Sequence, residues 1–252
     1  MAESKQKYPS EVVDLPSKGK LYPKDHPLHE GKIELKYMTA KEEDILTSQN
    51  LIKKGVVIEK LLDSLILTPG VTSDDLVLGD KNAVMVAVRI LAYGPEYTVE
   101  VLNPNTNEKL THTFNLADCP FVDPPEDVDM SENSFEVKLP ASKQVVTFKI
   151  LTGKDEKEIT AETASLKKIG QSKEITTRLR KAITAVDGNT ELSVINECVE
   201  NMLSRDSYAL REEMARIAPD IDLKQDVVLE EGDTVTLDIP MAVEFFWPKA
   251  RA

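Results

Sequence analysis

Cysteine is nearly absent: Cys119 and Cys198 stand alone in 252 residues. Two isolated thiols exclude a disulfide framework or a four-cysteine metal site within one chain, and they fit a reducing compartment. Basic charge is also short. Asp plus Glu outnumber Lys plus Arg by 44 to 31, a formal charge of −13. A surface of that sign repels nucleic acid and anionic lipid, so no nucleic-acid partner is expected. Long apolar runs are missing, since none approaches the ~18 residues that span a bilayer, and no membrane insertion is expected. The most apolar segment, 83–93, is interrupted by Arg89 and reads as a buried helix. The opening 1–7 carries charge with no apolar run behind it, so it does not read as a signal peptide.

The motifs that carry chemistry are missing too. There is no phosphate-cradling GxxxxGKS/T, no GxGxxG after a strand and no GxSxG elbow. Histidine is limited to His26, His29 and His112. The first two lie in a turn between Pro27 and Gly31 with Asp25 and Glu30 as the only nearby acids, too few ligands for a metal site. No catalytic residue, cofactor or metal is expected, and the chain does not read as an enzyme; the alternative from that class is an uncharacterised enzyme with an unfamiliar carboxylate or histidine site. With 41% apolar and 30% charged residues it is an ordinary globular composition, long enough for one large or two medium cores.

What is present is a pattern written twice. The run 35–46 (LKYMTAKEEDIL) is echoed by 148–159 (FKILTGKDEKEI), with Lys36 on Lys149, Thr39 on Thr152, Lys41 on Lys154 and Glu43 on Glu156 at one constant offset. Each copy has the grammar of a strand running into a helix. Thr39 and Thr152 stand where an N-cap hydroxyl belongs, Glu42 and Asp155 three residues on, with further acids in the first turn where the helix dipole favours them. A second amphipathic helix follows each copy, striped by Val57, Leu61, Leu62 and Leu65 and by Ile175, Leu179, Ala182, Ile183 and Val186. Asp80 and Asp206 then read as caps of a third helix, stopped at Gly94-Pro95 and Ala218-Pro219. Alternating apolar positions close each copy: Tyr97, Val99 and Val101, then Val235, Leu237 and Ile239. The expected fold is α+β, two related tandem units, each a small antiparallel sheet packed with several helices.

The expected boundaries follow from composition. Residues 1–32, with four prolines and no period, read as an extended N-terminal arm; 33–121 as the first α+β unit; 122–133 as an acidic, Pro-rich linker; 134–252 as the second unit. The stretch 118–133 holds six acids, three prolines and no base, which makes it stiff and self-repelling. Within the arm, Leu15, Leu21 and Tyr22 are costly to leave in water, so they pack either on the chain itself or on a neighbour. At the far end Phe245, Phe246 and Trp247 gather three of the few aromatics (six Phe, six Tyr and one Trp), as a core-closing strand end or as an anchor for a partner.

The opening 15–23 (LPSKGKLYP), the strand-to-helix step 35–46 and the closing 245–248 (FFWP) together resemble the baseplate hub family of T-even-type, contractile-tailed bacteriophages. The resemblance spans nearly the whole chain. It implies a non-catalytic tail morphogenesis protein, a baseplate hub subunit or hub assembly factor that binds other baseplate and tail hub proteins. It leaves open a transient assembly chaperone absent from the virion, and homo-oligomerisation. Location would be the host cytoplasm during assembly and the virion tail baseplate. Leu15, Gly19, Leu21, Tyr22, Phe245, Phe246 and Trp247 are the expected partner contacts. Many relatives carry a Cys-Pro-x-Cys knuckle at the tip of the first hairpin. Here the tip is 103–107 (NPNTN), which has no sulfur ligand, so the tip is expected to hold its shape by turn chemistry.

Overall fold

The arm that sequence sets apart supplies, from Ser10 onward, one edge of a sheet. In the computed structural model, which describes residues 9–228, 232 and 234–247, Ser10–Asp14 (β1) pairs antiparallel with Lys32–Lys36 (β2), Ser10 opposite Lys36. Between the strands the chain turns at Leu15 and passes a short 3-10 turn at Pro27–Glu30. Three helices follow, Ala40–Thr47 (α1), Gln49–Lys54 (α2) and Val57–Leu65 (α3). The long Leu78–Tyr93 (α4) comes next and ends at Gly94. Glu96–Leu102 (β3) and Lys109–Asn115 (β4) then form a separate hairpin, and Phe121–Val122 (β5) begins the acidic stretch.

The second half also opens on a hairpin that runs into helices. Phe135–Lys138 (β6) and Val145–Phe148 (β7) make a hairpin, followed by Gly153–Lys168 (α5) and Glu174–Ala182 (α6). Ile183–Val186 (β8) adds a third strand beside β7. Leu192–Asn201 (α7) and Ser204–Ile217 (α8) precede Asp220–Ile221 (β9), which pairs with β5. Lys224–Val228 (β10) and Thr234–Asp238 (β11) close the chain as another two-stranded hairpin. The fold is α+β, with small antiparallel sheets and helices packed on them.

The repeated grammar has a repeated geometry. Lys36 at the end of β2 reaches Glu42 Oε1 at 2.7 Å, and Lys149 after β7 reaches both oxygens of Asp155 at 2.8 Å. In each copy the carboxylate also reaches back to the threonine before the helix, completing a capping box. Leu35 bridges to Ile66 just after α3, as Phe148 pairs with Ile183 just after α6. Of the second-helix stripe, Val57, Leu61, Leu62 and Leu65 are all buried. The matching stripe differs: α6 stops at Ala182, so Ile183 and Val186 belong to a strand, and Ile175 is 51% exposed. A helix that ends early hands the same apolar residues to the sheet.

One cluster of buried apolar side chains runs from Leu15 to Phe246 and takes members from both halves. The acidic stretch lies along this body. Asp123 pairs with Lys18 at 2.6 Å, Asp127 lies 3.5 Å from Arg216, and Met130 is buried. The halves meet where the loop before α4 crosses the start of α5: Gly153 N donates to Leu76 O at 2.8 Å and Leu78 N to Leu151 O at 3.0 Å. Gly153 stands where the first copy has Ala40, because a Cβ there would collide with the carbonyl of Ser73.

Candidate interaction site

The turn after β1 is held by a carboxylate from far along the chain. Asp80, fully buried, accepts from Ser17 N (2.9 Å), Ser17 Oγ (2.6 Å) and the Tyr22 hydroxyl (2.7 Å), and that hydroxyl accepts in turn from Val77 N at 3.0 Å. The helix has its cap at Val77 rather than at Asp80, and Asp80, in its first turn, bonds the turn after β1 instead of capping. Asp206 does the same in the second half: the cap position is Leu203, and Asp206 accepts from Ala141 N at 2.7 Å and Ser142 N at 2.9 Å. Burial raises Asp80 above the ordinary carboxylate range despite the Ser17 and Tyr22 donors; it also raises the Tyr22 hydroxyl, with Asp80 adding to the shift. For Asp206 burial is outweighed by the Ala141 and Ser142 donors, and its acid is strengthened.

The network holds the arm's expected contact residues against the body. Leu15, Leu21 and Tyr22 are 1%, 5% and 6% exposed, and Gly19 occupies a left-handed turn (φ 78°) where a side chain would strike the carbonyl of His29. His26 caps Leu28 N and stacks on Tyr22, and His29 Nδ1 lies 3.0 Å from Tyr22 O, so both histidines serve the arm. Phe245 and Phe246 have no exposed area; Phe245 meets Tyr97 and Phe246 edge-on at about 5 Å and seals the base of the β3–β4 hairpin. The apolar area of these five side chains faces the chain's own core. Trp247, 40% exposed, is the one of the seven that presents a large side chain to solvent.

The acid-rich helix starts are taken up by structure. Glu42 accepts from Lys36, Ser64 Oγ (2.6 Å), Thr39 N (3.0 Å) and Thr39 Oγ1 (2.6 Å). Burial works against its charge, yet these four donors prevail and hold it down to about 2. Asp155 is lowered in the same way, burial being outweighed by Lys149 and Thr152. Among the described residues no three His, Cys, Asp or Glu side chains gather as a metal site. The hairpin tip is shaped by Asn103, whose Oδ1 accepts from Asn105 N at 2.9 Å, with Asn107 in the left-handed region at φ 59°.

Two exposed surfaces lie apart from the expected contact residues, one of them the acidic stretch already marked by its charge run. A groove of about 800 Å³ lies between the start of α6, the end of α7 and the middle of α8, floored by Ile175, Leu179 and Met214 and walled by Arg178, Arg180 and Arg211. Its signal was legible: from 167 to 181 the chain has six bases and one acid, in a protein of charge −13. The second surface is the acidic stretch at β5, where Phe121 and Val122 are 41% and 42% exposed beside Asp123, Glu126 and Asp127. No helix among the described residues is long and apolar enough to cross a membrane. No curated protein and no solved structure matches the chain. A family model described as T4 bacteriophage base plate protein does match, over residues 8–247, and the chain belongs to that family, with a structural or assembly role in the phage baseplate.

Proposed function

We propose that this chain is a non-catalytic component of the baseplate hub, a hub subunit or hub assembly factor that works by binding other baseplate proteins. Family membership supports the baseplate setting. The observation that carries the non-catalytic part is the saturation of the buried acids. Glu42 spends both oxygens on four donors of its own chain, Asp155 on Lys149 and Thr152, and Asp80 on Ser17 and Tyr22. A carboxylate so engaged stabilises the fold: Glu42 accepts two hydrogen bonds on each oxygen, and Asp155 and Asp80 hold partners of their own chain on both. Contact with partners falls to the exposed apolar residues, Trp247 among them, while the buried arm and Phe245-Phe246 keep those surfaces in shape.

A second reading is a transient tail assembly chaperone, active in the host cytoplasm and absent from the finished tail. The exposed acidic stretch favours it, since negative charge along a solvated segment can shield a basic chain until assembly. Probing purified tails for this chain, beside particles made in its absence, separates the two. Fixed stoichiometry in the tail is expected of a hub subunit; absence from tails together with failed baseplates would make it a chaperone. Normal tails formed without the chain would overturn both readings.

A further inference from the structure

The groove and the acidic stretch are complementary in charge and in apolar content. The groove offers four bases, Lys173, Arg178, Arg180 and Arg211, against two acids, Glu174 and Glu200, around an apolar floor of Ile175, Leu179 and Met214. Arg178 and Arg180 already face Glu156 and Glu162 at 2.7 and 3.0 Å, whereas Arg211 is exposed and, among the described residues, its Nε donates to Ser207 O one turn back on its own helix. The acidic stretch offers the reverse: two exposed apolar side chains, Phe121 and Val122, followed by Asp123 and Asp127, which face Lys18 and Arg216 at the surface, and by the exposed Glu126 between them. An apolar anchor flanked by acids fits an apolar floor walled by bases.

The stretch cannot fill the groove of its own chain. Both surfaces touch α8, but on opposite faces. At about 100° per residue, Arg211 and Met214 lie about 60° apart on the helix surface, and Arg216, which holds Asp127, lies about 140° from the first and about 160° from the second. The acidic stretch is thereby fixed behind the helix whose front face lines the groove, with β5 tied to β9 just after that helix.

We propose that the groove receives residues 121–127 of a second copy of this chain. The contact is head-to-tail: each copy gives its acidic stretch to one neighbour and its groove to the other, so repetition closes a ring or grows a filament. The proposal deepens the reading of the chain as a binding subunit. It is tested on the purified chain alone, so its failure leaves the baseplate role standing.

The test is sedimentation velocity of the full chain from about 1 to about 200 µM, in low salt and in about 0.5 M salt. The mass is expected to rise with concentration in low salt, and salt should weaken the rise. Arg211→Glu and Glu126→Lys, both at exposed positions, should each raise the concentration needed for association by about 10-fold or more. An equimolar mixture of the two variants should associate again, because each interface in the mixture then pairs opposite charges. Thermal melts report whether each variant folds; if Arg211→Glu did not melt like the wild type, Lys173→Glu at the groove's other wall takes its place. The proposal is overturned by a monomer at every concentration in low salt, by association indifferent to both reversals, or by a mixture no better than its components.

Discussion

The two halves use the same device at different depths. In the first, Lys36 and Glu42 have side chains only 9% and 0% exposed; in the second, Lys149 and Asp155 are 30% and 11% exposed. The buried aspartates differ in parallel. Asp80 takes two hydroxyls and one amide, Asp206 two amides from a turn at the surface. The cause is the connection between the hairpin strands. After β1 the chain runs from Leu15 to Gly31 and brings Ser17 and Tyr22 onto Asp80, whereas β6 and β7 are joined by the short turn at 139–144, whose amides meet Asp206. The longer loop gives Asp80 an interior site where Asp206 has a surface turn, and at the ion pair itself Ser64 of α3 adds a partner to Glu42. Depth of burial, more than the identity of the pair, then sets what each residue contributes.

The largest effect expected from this difference is at Glu42. Glu42→Ala removes the carboxylate facing Lys36 in a dry site together with three further hydrogen-bonded partners, and should destabilise the fold by about 3–5 kcal/mol. Asp155→Ala breaks a wetter pair and one capping box, and should lose roughly 2 kcal/mol. Urea midpoints for the two variants check this, and equal losses would break the comparison. Asp80→Ala ranks next. It strands Ser17 Oγ and the Tyr22 hydroxyl in the interior and should lose roughly 3 kcal/mol, against about 1 kcal/mol for Asp206→Ala, whose two amides can turn to water.

Acid sharpens the contrast through the sign of each shift. Glu42 and Asp155 are lowered in the folded chain, so the stability they lend is present above the ordinary carboxylate range and is lost as pH falls, for Glu42 through about 2. Asp80 is raised, so its ionised form opposes folding and protonation relieves that opposition as pH falls. Between about pH 4.5 and pH 2 the wild type should weaken steeply. Glu42→Gln, which no longer titrates, should flatten that fall more than Asp155→Asn does. Melting temperatures across the range report it, and a greater flattening by Asp155→Asn would reverse the ranking of the two sites.

Much of this architecture was legible from capping grammar and period. The Thr39 and Thr152 capping boxes, the α3 stripe and the turn-held hairpin tip follow from local rules, because their causes lie within a few residues. The α6 stripe was misread at its end, since Ile183 and Val186 suit a helix face and a sheet face equally and β7 decides between them. Asp80 and Asp206 were read as caps because an acid in a first helical turn usually serves that turn. Their real partners, Ser17 and Ala141, lie more than sixty residues away. The arm's fate was undecidable for the same reason: Leu15, Leu21 and Tyr22 announce that they must be covered, and only the tertiary contact with Asp80 says by what. The groove was announced by its run of bases, but its floor needs α6 and α8 side by side.

The smallest expected effect on stability separates the two ends of the chain that were expected to act alike. Tyr22 is enclosed and bonded at its hydroxyl; Trp247 lies beyond the last buried aromatic with 40% of its surface in water. Truncating an exposed side chain away from caps and networks moves stability by about 0.5 kcal/mol or less, so Trp247→Ala should melt within a degree or two of the wild type. An exposed tryptophan is also a strong anchor when a partner covers it, and its loss can then weaken binding by about 2 kcal/mol or more. The expected outcome is therefore an unchanged melt with weakened incorporation into baseplates, read by co-purification with tails. A variant that melts early would return Trp247 to the core beside Phe246. One that assembles normally would leave partner contact to the acidic stretch and the groove.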